Sequence, residues 1–227
     1  MVGDGPVEMT EQPLRAAIIP VTPLQQNCTL LWCTATMRGA FVDPGGDLPR
    51  LKAAAAQAKV TIEKILLTHG HIDHCGSAGI LAEELGVPIE GPHEADIYWI
   101  ERLAQDGVKY GIPGRTFEPS RWLADGEEVS VGELDFSVRH CPGHTPGHVV
   151  FHQTRSKLAL VGDVLFRGSI GRWDFPHGDQ LALIRSITER LWPMGDETAF
   201  VPGHGPMSTF GHERATNPFV GDAALAA

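Results

Sequence analysis

Apolar residues fall along this chain in short runs broken by Gly, Pro and Asn, a spacing that predicts strands interleaved with helices. Residues 16–21, 28–33 and 40–42 read as strands, separated by turn-forming Thr22-Pro23, Asn27 and Arg38-Gly39. A helix is expected next, with Asp47 as N-cap, Pro49 in the first turn and Leu51, Ala54, Ala55 and Ala58 on one face. Residues 62–67 then form a buried strand, 77–85 a helix closed by Gly86, and 92–104 a further helix before an irregular stretch to Trp122. The second half returns to strands at 128–131, 135–140, 148–152 and 157–161. Its helix, 179–191, carries Leu181, Ile184, Ile187 and Leu191 as a core stripe, with Arg185 and Glu189 paired four apart outside. The alternation predicts an α/β (α+β) fold, with residues 13–220 as one domain and 1–12 and 221–227 as disordered tails. At 227 residues and 42% hydrophobic content, one substantial core is within reach.

Charge and cysteine usage narrow the function. A formal charge of -10, from 28 acidic and 18 basic residues, disfavours a surface that tracks nucleic-acid phosphates or anionic lipid. The four cysteines (Cys28, Cys33, Cys75, Cys141) form no CxxC pair, which suits a reducing compartment. The first residues lack the basic and apolar regions of a leader, and no apolar stretch reaches membrane-spanning length. A cytoplasmic protein with neither a nucleic-acid nor a membrane partner is therefore expected, and its oligomeric state stays open.

The chemistry concentrates in His69-Gly70-His71-Ile72-Asp73-His74, three imidazoles and a carboxylate in six residues. Such a density of N and O donors is the chemistry of Zn²⁺, Fe or Mn sites. The cluster lies where a strand gives way to a helix, so the ligands are held by a rigid element while the loop leaves room for substrate. Three further residues follow apolar runs beside Gly or Pro: His144 in Cys141-Pro142-Gly143-His144-Thr145-Pro146-Gly147-His148, Asp163 after Val161-Gly162, and His204 after Pro202-Gly203. His148 and His152 alternate along a strand and read as structural. His93, His140, His177 and His212 carry no assignment, with His177 near the expected substrate loop. Cys75 reads as a small buried side chain behind the cluster rather than a ligand.

On these residues the chain resembles the metallo-β-lactamase superfamily, whose HxHxDH motif is followed by a His, an Asp and a final His. The resemblance spans roughly residues 15–220 and implies a four-layer αββα sandwich. It further implies two divalent metal ions, most simply zinc, with iron or manganese as alternatives. His69, His71 and His144 would hold one ion, Asp73, His74 and His204 the other, and Asp163 would bridge them. Two close ions bring the pKa of a coordinated water near 7, so hydroxide is available to attack a carbonyl. Asp73 and Asp163 would tune the charge of that site and so count as catalytic. The chain has no GxSxG elbow to offer a serine route.

Within the superfamily the stretches HGHIDHCGSAGILAEELGVP, CPGHTPGHVVF, GDVLF, GRWDFPHGD and FVPGHGPMSTFGHERATNPF are similar to small bacterial glyoxalase II-like proteins. That resemblance implies hydrolysis of a small thioester such as S-D-lactoylglutathione. Full-length glyoxalase II enzymes add a C-terminal helical domain with cationic glutathione contacts, which this chain is too short to include. Arg172 matches a family position that supplies a basic contact, with Arg167 and Trp173 as further rim candidates; a surface pair of Arg172 with Asp174 is the competing reading. A mononuclear iron persulfide dioxygenase is the nearest rival, since it shares a Gly-Arg-x-Asp-Phe stretch like 171–175. Its iron would take His69 rather than His71, with His144 and Asp163. A lactonase or β-lactamase, a metal-binding protein without turnover, and a ribonuclease-like enzyme complete the alternatives, the last opposed by the acidic balance.

Overall fold

Residues along the central strands alternate between two apolar destinations. In the computed structural model, which describes residues 13–226, β2 (Gln26–Cys33) sends Cys28 and Leu30 to one core and Leu31 and Cys33 to another. Likewise β4 (Thr61–Leu66) divides Ile65 and Leu66 between the same two cores. A strand buried on both faces must be apolar on both, which explains why these segments read as runs rather than alternations.

The first sheet has the order β1 (Leu14–Val21), β2, β3 (Arg38–Val42), β4, β5 (Ile89–Glu90), antiparallel across β1–β3 and parallel across β3–β5. The second sheet contains β6 (Glu128–Val131), β7 (Leu134–His140), β8 (Val149–Gln153), β9 (Leu158–Gly162), β12 (Ala199–Pro202) and β13 (Ser208–Thr209). Its order is β13-β12-β9-β8-β7-β6, and a ribbon of β10 (Leu165–Phe166) and β11 (Ser169–Ile170) stands apart. Leu31, Val42 and Leu66 meet Phe136, Phe151, Leu160 and Val201 between the sheets.

Helices α1 (Leu48–Ala58), α2 (Ile72–Cys75), α3 (Ala78–Leu85), α4 (Ile97–Glu101) and α5 (Leu103–Tyr110) cover the first sheet through Leu51, Cys75, Leu81, Ile100 and Leu103. On the far side α6 (Gln180–Arg185) and α7 (Phe210–Thr216) pack Leu183 and Phe210 over Val150, Val161 and Phe200. The layers are helix, sheet, sheet, helix, the expected αββα sandwich.

Several local expectations change. Asp47 precedes α1 in a left-handed conformation and does not cap it; its carboxylate instead accepts the Thr22 N–H at 2.9 Å, tying α1 to the end of β1. The 92–104 helix is a one-turn 3-10 segment, Glu94–Asp96, followed by α4 and α5, and it runs on to Tyr110. In the 179–191 helix Asp179 does cap, accepting the Ala182 N–H, but α6 widens into a π-helical segment, Ser186–Leu191. The buried stripe is Leu183, Ile187 and Leu191 at spacings of four, with Ile184 packed beside it; Leu181, two positions from Leu183 and so about 200° round the helix, is 67% exposed. Arg185 and Glu189 form no ion pair among the described residues. The expected C-terminal tail is helical at α8 (Asp222–Leu225), fastened by the Arg214–Asp222 ion pair at 3.1 Å and the buried Val220.

Phe151→Ala should cost about 3–5 kcal/mol in urea unfolding, as expected for an aromatic lost from a packed inter-sheet layer. Leu181→Ala should stay within about 0.5 kcal/mol. Equal costs would contradict this division of the core.

Candidate metal centre

Five strands of the sandwich end at one edge, and each delivers a polar loop there. Asp43 follows β3, residues 68–74 follow β4, 141–148 follow β7, Asp163 follows β9 and 203–205 follow β12. Ligands scattered over 135 positions of sequence thereby come together, because His69 and His204 leave neighbouring ends of the two sheets.

The first group is His69, His71 and His144. His71 Nδ1 lies 3.2 Å from His69 Nε2 and 2.9 Å from His144 Nε2. The outer nitrogens settle what the inner ones carry. Thr68 Oγ1 donates to Asp43 at 2.5 Å, so it accepts from His69 Nδ1 at 3.0 Å; the Arg172 carbonyl accepts from His144 Nδ1 at 2.7 Å. Both Nε2 atoms are left with inward lone pairs. His71 Nδ1 has one hydrogen at most, so it cannot satisfy both, and the trio fits a shared cation. Burial holds all three imidazoles below their ordinary pKa, in the neutral form a metal requires.

The second group is Asp73, His74 and His204, both motif members being carried on the short α2. His74 Nδ1 donates to Asp43 at 2.9 Å, and its Nε2 faces Asp163 Oδ1 at 3.3 Å without hydrogen-bond geometry, so both atoms are buried and unpaired. His204 Nε2 is 3.1 Å from Asp73, and its Nδ1 donates to the Leu24 carbonyl at 3.2 Å. Burial alone would depress His74, but Asp163 and Asp73 carry its pKa well above the usual value. Burial would likewise raise Asp163, yet His74, His144 and His204 hold it far below the carboxylate range. Facing carboxylates and imidazoles of this kind call for positive charge among them, supplied by protons or by a metal ion.

Asp163 lies between the groups: Oδ2 is 3.5 Å from His144 Nε2 and 3.7 Å from His204 Nε2. Its N–H donates to His148 Nε2 at 3.0 Å, so His148, stacked on His69 at 4.6 Å, supports the site from outside. Gly162 makes this possible: its φ is +48°, and a Cβ there would meet His148 Nε2 and Thr68 Oγ1 at 2.6 Å. Asn27 secures the last loop, donating from its amide to the Pro202 and Gly205 carbonyls at 3.0 and 2.8 Å. Cys75 is buried, its Sγ on the His71 carbonyl and its thiol pKa pushed up by that burial.

Both groups open on a cavity of about 790 Å³, within the range of small-molecule sites. Arg172 and Arg167 line it. Arg172 holds Asp174 bidentately at 2.8 and 3.1 Å while its guanidinium lies 4.2 Å over the Phe175 ring. Trp173 is not on the wall; it packs against the core beneath α6. His177 touches Tyr98, a wall residue, at 4.8 Å. The sequence reading missed Asp43, Tyr98, Trp99, Arg102 and Lys109. Asp43 alone left a signal, because Phe41-Val42-Asp43-Pro44-Gly45 repeats the strand-end Asp beside Gly that singled out Asp163.

An αββα sandwich with clusters of His and Asp donors at one edge has the donor set of a metal-binding protein. Residues 21–204 match the model of the metallo-beta-lactamase superfamily, and the chain belongs to that superfamily as a metallo-hydrolase. It is 42% identical over 205 residues to hydroxyacylglutathione hydrolase GloC of Haemophilus influenzae, covering 89% of this chain and 96% of that one. Among solved structures, the BLEG-1 B3 metallo-beta-lactamase superposes with a TM-score of 0.84 at 33% identity, over 91% of this chain and 99% of that one. TTHA1623 in a di-iron-bound form gives 0.80 at 36% identity, over 89% and 99%. Among the described residues, no helix is long and apolar enough to cross a membrane.

Thr68→Val keeps shape but removes the acceptor for His69 Nδ1–H and the link to Asp43. Chelator competition should show metal affinity falling ~10–100-fold, as for other groups that orient a ligand. Unchanged affinity would contradict the tautomer assignment.

Proposed function

We propose that this metallo-hydrolase cleaves a small thioester, with S-D-lactoylglutathione as the first candidate. The observation that carries the reading is Asp163, whose carboxylate reaches both ligand groups at the floor of a cavity sized for such a substrate. His69, His71 and His144 would hold one ion, Asp73, His74 and His204 the other, and Asp163 would serve both. Zinc suits these donors, and so does iron, which the di-iron-bound relative carries. Two ions at such a site supply hydroxide at neutral pH and Lewis acidity for a carbonyl oxygen.

The chain's own groups prepare that chemistry. Neutral His69, His71 and His144 add no charge, while Asp73 and Asp163 remain carboxylates and offset the cations. The rings of Trp99 and Phe175 stand 4.4 and 4.9 Å from His71 and form an apolar wall that limits water at the reacting end. A thiolate departs without a strong general acid, so the absence of a dedicated acid from this reading is chemically consistent. Further out, Arg102, Lys109, Arg167 and Arg172 border the cavity of a chain that is acidic overall, a setting suited to a substrate with carboxylates on its thiol half.

The mononuclear dioxygenase reading uses only His69, His144 and Asp163. It gives no role to Asp73, His74 and His204, whose ligand atoms also lie within 4.8 Å of one another. Likeness to GloC, whose name states hydroxyacylglutathione hydrolysis, favours the thioester over a lactam or lactone.

Metal-replete protein should contain close to two ions per chain and hydrolyse S-D-lactoylglutathione, with Asp163→Ala at background. Arg172→Ala should raise KM about tenfold with kcat unchanged, the signature of a lost ground-state contact to a carboxylate. One iron per chain with oxygen uptake on glutathione persulfide, and no thioester turnover, would overturn the reading.

A further inference from the structure

Asp96 takes no part in either ligand group, yet it is wholly buried with no cationic side chain against its carboxylate. It lies in the 3-10 turn before α4, and three donors converge on it. Oδ2 accepts the Gly70 N–H and the Thr145 hydroxyl, each at 2.8 Å; Oδ1 accepts the Gly147 N–H at 2.5 Å. Gly70 sits between His69 and His71, Thr145 follows His144, and Gly147 precedes His148. One side chain thus joins the loop after β4 to the loop after β7.

The chemistry of the bonds requires a carboxylate. All three partners donate, and they divide between both oxygens, so an amide would turn its NH₂ toward a donor whichever way it flipped. Burial without a counter-charge carries a cost, visible in a carboxyl pKa pushed up to about 6, which the three hydrogen bonds offset. Close approach is built in on both sides. A Cβ at Gly70 would meet Trp99 Cβ at 2.7 Å, and one at Gly147 would meet the Asp96 nitrogen at 2.5 Å. The same turn also leads into Trp99, whose ring stands nearly perpendicular to that of His71 with centroids 4.4 Å apart.

We propose that Asp96 is a positioning residue for one ion site alone: it clamps the two loops so that His71 and His144 meet, and it leaves the Asp73/His74/His204 group to be oriented by Asp43 and the Leu24 carbonyl. The inference rests on the two-ion reading above and adds a division of labour to it. Asp96 is bonded to neither Asp73, His74 nor His204; His74 is held by Asp43 and His204 by the Leu24 carbonyl.

Zinc titration with a competing chelator tests it without reference to turnover. In the wild type two ions should bind, and Asp96→Asn should weaken one of them ~10–100-fold while leaving the other within about twofold. Thr145→Val, which deletes a single bond, should give a smaller loss at the same site, and Thr145→Ser should restore wild-type affinity. In a His69→Ala background, where only the second group is intact, Asp96→Asn should change affinity by less than about twofold. A parallel loss at both sites tracking a drop in the metal-free unfolding midpoint, or wild-type affinity at both sites, would overturn the inference. Fewer than two ions in the wild type would refute the two-ion reading and this inference with it, whereas two ions without thioester turnover would refute only the substrate.

Discussion

The site depends on how its outer hydrogen bonds fix the inner faces of its histidines. Imidazole has two nitrogens, and committing one as a donor leaves the other as a lone pair. Asp43 makes that commitment twice, directly for His74 and through Thr68 for His69, while the Arg172 carbonyl makes it for His144. Three lone pairs are thereby aimed inward from the segments that follow β4 and β7, an arrangement that neutral protein alone does not satisfy and a cation does. The protein bears that cost because its sheets hold the rings in place.

The sandwich is well suited to bear it. Its central strands are buried on both faces, so their ends have little freedom, and loops leaving those ends inherit their precision. The inter-sheet layer around Phe136 and Phe151 fixes the distance between the loop carrying His69 and the loop carrying Asp163. His148 extends the order outward by accepting the Asp163 N–H, and Asp96 extends it sideways between two loops. The ligands themselves contribute little packing; the frame is made by residues with no chemistry.

Much of this was legible in the sequence. The seven His and Asp residues declare themselves by a dense motif and by polar residues placed just past apolar strands, and the structure brings those seven to one edge. Asp43 shares that pattern but stands outside any motif, and Asp96 shows no local signal at all, because its three partners come from loops 26 to 51 positions away. The burial of Leu183 in place of Leu181 was equally invisible, since Leu181, Leu183 and Ile184 lie on different sides of the same α-helical turn and periodicity alone does not choose among them. Trp173 illustrates the same limit: neighbours in sequence on an irregular loop point to opposite sides, Arg172 to the cavity and Trp173 to the core. Regular periodicity transmits orientation, and loops do not.

The most direct measurement is a crystal structure of the metal-replete protein with anomalous scattering recorded at the metal edge. The account predicts two ions about 3.5–4 Å apart. One should rest on His69 Nε2, His71 Nδ1 and His144 Nε2, the other on Asp73, His74 Nε2 and His204 Nε2, with Asp163 touching both. A single anomalous peak, or ions held through His69 Nδ1 or His74 Nδ1, would contradict it.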